Sequence, residues 1–119
     1  MIGQAAKMFA AAAAFRSTGS TAAGRLLVRG LVSDDETVRN VAGILLVGAG
    51  GRSGPLLRDA VLRAPSRDVP MLLRVLADVG DPQWDGFLAS YVDNQDPEIA
   101  QAARDAVQAA RLAREGRRG

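Results

Sequence analysis

The chain has 119 residues, 48% of them apolar but only 4% aromatic, with a net charge of +2. It contains no cysteine and no histidine. That excludes disulfides, zinc sites built on thiolate or imidazole, and nucleophilic systems of the Cys–His or Ser–His–Asp type. The length suits one core, so residues 1–119 are read as a single domain. With so few aromatics, alanine, leucine and valine must do the packing, and alanine and leucine favour helices.

The chain opens on "MIGQAAKMFAAAAAF". Met8, Ala11, Ala12 and Phe15 recur at helical spacing and predict a leading helix over 4–15, within an N-terminal unit of residues 1–16. Lys7 before an apolar run resembles the start of a signal peptide. Five of the eight apolar residues are alanine, however, and Arg16 closes the run at once, so a plain helix is expected. No run approaches the roughly 20 apolar residues of a membrane span.

Beyond residue 23 the chain repeats itself. "GRLLVRGLVSDDETVRNVAGILLVGAG", "GPLLRDAVLRAPSRDVPMLLRVLADVGD" and "DGFLASYVDNQDPEIAQAARDAVQAAR" lie in register over 24–50, 54–81 and 85–111. Leu27, Leu57 and Leu88 align, as do Leu31, Val61 and Val92, then Val38, Val69 and Ile99. Ala42, Leu73 and Ala103 follow, then Leu45, Leu76 and Ala106. A fixed period of this size signals a repeat architecture. Each unit reads as a short helix (Gly24–Val32, Pro55–Ala64, Pro82–Val92) followed by a longer one (Asp35–Val47, Asp68–Val79, Pro97–Arg114). The longer helices carry apolar stripes at 38, 41, 42, 45, at 69, 72, 73, 76 and at 99, 102, 103, 106, which is one helix face. Asp34 or Asp35, Ser66 and Asp96 stand where N-caps are needed. Pro55, Pro82 and Pro97 occupy expected first helical positions. The expected fold is all-α: a short right-handed α-α superhelix, or α-solenoid, of about three helix pairs plus an N-terminal capping helix. Stacking is required because one pair cannot bury its stripe alone.

"SDDETVRNVAGILL" resembles the HEAT repeat of the bacterial, phycobilisome-lyase-like type through Asp35, Val38, Arg39 and Ala42. The third unit resembles it through Asp96, Pro97, Ile99 and Ala103, with Ala100 in place of the arginine. The second keeps Val69 but has Pro70 there. The resemblance covers residues 24–110 and implies a fold more than an activity. It also implies an arginine ladder tying neighbouring repeats through turn aspartates, here reduced to Arg39.

"VGAGGRSG" imitates a dinucleotide-binding turn. Gly48 and Gly50 fit Gly-x-Gly-x-x-Gly, and Asp68 lies 20 residues past Gly48. The third glycine is replaced by Ser53, though, and residues 38–47 carry a helical stripe where a strand is needed. The segment is read as the joint between the first two repeats. A Walker loop is excluded because Lys7 is the sole lysine. "DNQDPEIAQAAR" has Glu98 and Arg104 where a calcium loop needs glycine and glutamate, so it reads as a turn and cap. Asp78, Asp81 and Asp85 are read as solvated turn acids rather than a catalytic set, and Trp84, Leu88 and Tyr91 as core.

Charge is uneven. Residues 1–33 carry Lys7, Arg16, Arg25 and Arg29 and no acid, residues 64–110 carry eight acids against three arginines, and 112–119 form a basic tail. In HEAT-type solenoids, the resemblance implies, the second helices form a concave face. Partner-binding residues are therefore expected to be Arg39, Asn40, Arg74, Asp78, Gln101, Arg104 and Gln108. The leading expectation is a non-enzymatic scaffold or adaptor that binds a protein partner, cytoplasmic, with no cofactor, metal or membrane association. A nucleic-acid-binding HEAT-like module is the alternative, opposed by the acidic body. A lyase-like accessory protein is the third reading, and head-to-tail homo-oligomerisation a further one.

Overall fold

A computed structural model of the chain describes residues 2–118, and among them there are helices and turns but no strand. The helices are α1 (Ile2–Thr18), α2 (Thr21–Leu31), α3 (Glu36–Gly48), α4 (Ser53–Arg63), α5 (Val69–Val79), α6 (Asp85–Ala89) and α7 (Pro97–Arg118). Single turns of 3₁₀ helix, Gly50–Arg52, Ser66–Asp68 and Pro82–Trp84, lead into α4, α5 and α6.

The helix boundaries follow local chemistry. The Asp35 carboxylate accepts the Val38 N–H at 3.1 Å and starts α3. Asp96 accepts from Glu98 N–H at 2.9 Å and Ile99 N–H at 3.4 Å and starts α7, with Pro97 in the first turn. These bonds satisfy backbone donors that have no partner inside the helix. Gly80, with φ at 77°, ends α5 in the left-handed conformation that glycine adopts without steric penalty.

Several expectations are corrected. The helix expected over Pro82–Val92 is instead a 3₁₀ turn and the five-residue α6. The Ser90 hydroxyl donates to Phe87 carbonyl at 2.6 Å, and the Tyr91 and Val92 N–H groups bond three residues back, so the chain tightens out of the α register. Ser66 makes no capping bond; it opens the 3₁₀ turn before α5. Pro55 falls third in α4 rather than first, still among the positions whose N–H lacks an intrahelical partner. α2 begins at Thr21, because the Ser20 hydroxyl accepts the Ala23 N–H. α1 is also longer than expected, reaching Thr18 before Gly19 turns the chain.

Each helix packs on its successor or on the next but one. α1 meets α2 and α3; α2 meets α3 and α4; α5 meets α3, α4, α6 and, most extensively, α7. The core expresses the repeat. Leu27, Leu57 and Leu88 are buried together, and Ala42, Leu73 and Ala103 are all fully buried. On α3 the stripe is rotated slightly: Leu46 is fully buried, while Val41 and Leu45 are half-buried. The radius of gyration, 14.0 Å, is close to the roughly 13.5 Å expected for one domain of this length.

Candidate functional site

The glycine-rich joint comes first, because it sets the spacing of the helices around it. α3 precedes it, where a dinucleotide fold needs a strand. Gly50 has φ at 65° and turns the chain from α3 into the 3₁₀ segment. Ser53 is fully buried and its hydroxyl donates to the Leu46 carbonyl at 2.5 Å. That bond ties the start of α4 to the last turn of α3. Gly54 faces the Trp84 indole so closely that a Cβ there would lie 2.2 Å from Nε1. Ser53 and Gly54 serve helix packing, and Gly50 serves chain reversal.

The seven expected partner residues divide among three places. Arg39, Asn40 and Asp78 line one groove of about 700 Å³ between α3 and α5. Its remaining lining is Leu31, Gly43, Ile44, Val47, Gly48, Met71 and Val75. Arg104 and Gln108 line a separate notch of about 570 Å³ with Val92, Val107, Arg111 and Leu112. Arg74 is exposed on α5 and lines neither, and Gln101 donates its side-chain amide to Asp105 at 2.9 Å on α7. The seven therefore do not form one continuous site, and α3 and α5 hold the best-defined part.

The seven expected residues leave out the groove's apolar floor. Ile44 is 71% exposed, although it stands on a helix whose neighbouring faces are packed. An isolated exposed isoleucine is ordinary, but one flanked by Val47, Met71 and Val75 marks a continuous apolar strip. The sequence signal was available: Ile44 lies off the 38–41–42–45 stripe, where a solvated face would carry a polar residue.

Arg39 does not form the ladder that the resemblance implied. Its Nη1 donates to the Ser33 carbonyl at 2.7 Å, in the turn that precedes its own helix. No ion pair to a turn aspartate forms from it among the described residues; the pairs present are Arg58–Asp59, Arg67–Asp68 and Arg114–Asp85. One bond to Ser33 leaves other guanidinium donors for the groove.

The three turn acids have separate employments. Asp81 accepts the Gln83 side-chain amide and backbone N–H, and these bonds hold its carboxyl below the usual range. Asp85 pairs with Arg114 at 2.5 Å. Asp78 makes no ion pair among the described residues, and partial burial at the groove pushes its carboxyl up. In "DNQDPE", the Asn94 side chain accepts the Asp96 N–H and Asp96 caps α7, which spends the oxygens on backbone. No cluster of three or more acids suited to a metal occurs among the described residues.

Trp84 and Leu88 are core residues, and Tyr91 packs edge-on to Phe87 with centroids 5.3 Å apart. The Arg58 guanidinium lies 5.7 Å from the Trp84 ring centroid. Of the basic tail, Arg114 is engaged by Asp85, while the Arg117 and Arg118 side chains and Gly119 lie outside the described structure. No described helix is long and apolar enough to cross a membrane. No protein-family model, curated protein or solved structure matches this chain.

Proposed function

We propose that the chain is a short α-solenoid of HEAT-like helix pairs that works without catalysis, as a scaffold holding a protein partner on its second-helix face. The solenoid reading is supported by neighbour-to-neighbour packing and by the joint burial of repeat-equivalent residues. The observation that carries the function is the α3–α5 groove, with its exposed Ile44 and a charged group from each wall. A concave, largely apolar surface with a few oriented polar groups is the usual form of a recognition site. Capture from a lysate of the protein's own cells, followed by mass spectrometry, tests the assignment. Alanine at Arg39 and Asn40, which line the groove, and separately at Arg74 and Arg104, exposed on the second helices outside it, is expected to weaken capture of the specific partner. Unchanged capture of every partner would remove the surface assignment.

Nucleic-acid binding is the second reading. It rests on Lys7, Arg16, Arg25 and Arg29, all exposed on α1 and α2 with no acid among residues 1–33. Such binding is expected to weaken steeply with salt, through release of counterions from the phosphates. A flat salt response, or no DNA binding at low salt, would dismiss it.

A further inference from the structure

The α3–α5 groove has a fixed polarity. Arg39, Asp68 and Met71 line one shallow cleft, so the first turns of α3 and α5 lie side by side and the two helices run parallel. Arg39 and Asn40 therefore mark the end of the groove at the helix starts, and Gly48 and Asp78 mark the end at the helix finishes. Between them lie Gly43, Ile44, Val47, Met71 and Val75. Arg39 and Val47 are eight residues apart on α3, a rise of about 12 Å. The cation therefore stands towards one end of the groove and the anion towards the other, with an apolar strip between them.

This arrangement selects for the conformation of an occupant as well as its charge. An extended peptide brings an N–H and a C=O per residue. The apolar floor offers nothing to bond them. A helix satisfies its own backbone and presents side chains alone. Residues seven or eight apart on a helix share a face and span about the same 12 Å. An amphipathic helix with an acid and a base at that spacing, and apolar residues three or four positions between, therefore matches the groove in length and charge. Asp78 is exposed and makes no ion pair among the described residues, so an incoming cation meets a carboxylate with no competing pair. Arg39 spends Nη1 on the Ser33 carbonyl, which leaves its other donors for an incoming acid.

Resting on the second-helix reading above, we propose that this groove binds an amphipathic helix of a partner protein. Its apolar ridge lies on Ile44, Val47, Met71 and Val75, its acidic side chain meets Arg39, and its basic side chain meets Asp78.

The test uses the full chain and two labelled, alanine-based helical peptides. Each carries leucine on one face with glutamate and arginine two turns apart, in the two possible orders. A third peptide has glutamine at both charged positions. Fluorescence anisotropy is expected to show saturable binding of one charged peptide, and binding of the glutamine peptide weaker by about tenfold or more. Asp78→Arg, at an exposed position, is expected to weaken the preferred peptide by a similar factor. Replacing that peptide's arginine by glutamate is expected to restore binding to Asp78→Arg, and a mere fold defect could not produce that rescue. Ile44→Asp is expected to abolish binding with an unchanged circular dichroism spectrum. Failure of both charged peptides to bind, indifference to Asp78→Arg, or absence of rescue would overturn the inference. So would self-association of the wild type that Ile44→Asp abolishes, since it would assign the groove to a second copy. Partner capture that is lost in the Arg74→Ala, Arg104→Ala protein but intact in Asp78→Arg would overturn the groove inference alone. Capture intact in both would overturn the surface reading as well.

Discussion

Within "GAGGRSG" the glycines are not equivalent, and alanine substitution separates them. At Gly54 an ideal Cβ would sit 2.2 Å from Trp84 Nε1, 2.8 Å from Cε2 and 3.1 Å from Cζ2. The obstacle is a buried indole ring, which cannot swing aside as the end of a lysine would. Forcing an added methyl into a packed site typically costs about 1–3 kcal/mol. Removing a glycine from a helix returns up to about 1 kcal/mol, but less here because Gly54 is the second residue of α4. A net loss of about 1–2 kcal/mol follows. Unfolding entropy near 2.1 cal/mol/K per residue gives about 0.25 kcal/mol/K for 119 residues. The melting temperature of Gly54→Ala should therefore fall by about 4–8 °C.

Thermal unfolding followed by far-ultraviolet circular dichroism measures that fall. The emission of Trp84, the sole tryptophan, reports displacement of the ring directly. Two controls come from the same segment. A Cβ added at Gly51 would meet no heavy atom within 4 Å, and Gly51 has no left-handed φ, so Gly51→Ala should stay within about 0.5 kcal/mol of wild type or stabilise slightly. Gly50→Ala must hold an alanine at φ 65° and should lose about 1–2 kcal/mol without a change in Trp84 emission. If Gly54→Ala melts at or above the wild-type temperature with unchanged emission, or if Gly51→Ala is as damaging, then the packing account of the joint is wrong.

Ser53→Ala removes the buried hydroxyl bond to the Leu46 carbonyl and should lower stability by about 0.5–1.5 kcal/mol, measured by urea unfolding. Asp96→Ala removes the cap of α7 and should cost about 1 kcal/mol, with Asp96→Asn largely restoring it. Asp78 has a raised folded-state pKa, so the folded chain binds its proton more tightly than the unfolded one. Its burden on stability is absent in strong acid, grows as pH rises from the ordinary carboxylate range through the raised pKa, and is complete above it. Asp78→Asn should therefore raise the melting temperature slightly at pH 7 and have no such effect near pH 3, which a pair of melts at the two pH values will show.

The parts of the fold that were legible in the sequence are those governed by neighbours along the chain. The stripe Val69–Leu72–Leu73–Leu76 is fixed by helical geometry alone, and all four residues are buried. Asp35 and Asp96 cap because a short carboxylate three residues before an apolar position can reach backbone N–H groups locally. Pro70 breaks the repeat's arginine pattern yet sits in the first turn of α5, where its ring is tolerated. α6 was misread because its length depends on a competition that composition does not resolve. Leu88 and Tyr91 continue the helical period, but the Ser90 hydroxyl takes a local carbonyl and the chain leaves the helix early. The candidate site was only partly legible. Polar residues such as Asn40 and Gln101 identify a solvent-facing side, but not which residues face each other across a groove. That depends on helix rotation. α7 buries Ala100 and Ala110 beside the expected stripe, and its Arg104 and Gln108 line the notch with Val92 rather than the strip with Asp78.

The joint and the groove are physically one construction. The Ser53 hydroxyl fixes the first turn of α4 against the last turn of α3. α4 in turn packs along α5, and Gly54 admits Trp84 from the turn that leads out of α5. Two contacts made by small residues, at Ser53 and Gly54, therefore seat α4 against the end of α3 and against Trp84. The glycine-rich segment that imitates a phosphate cradle joins α3, which forms one wall of the groove, to α4, which packs on the helix that forms the other.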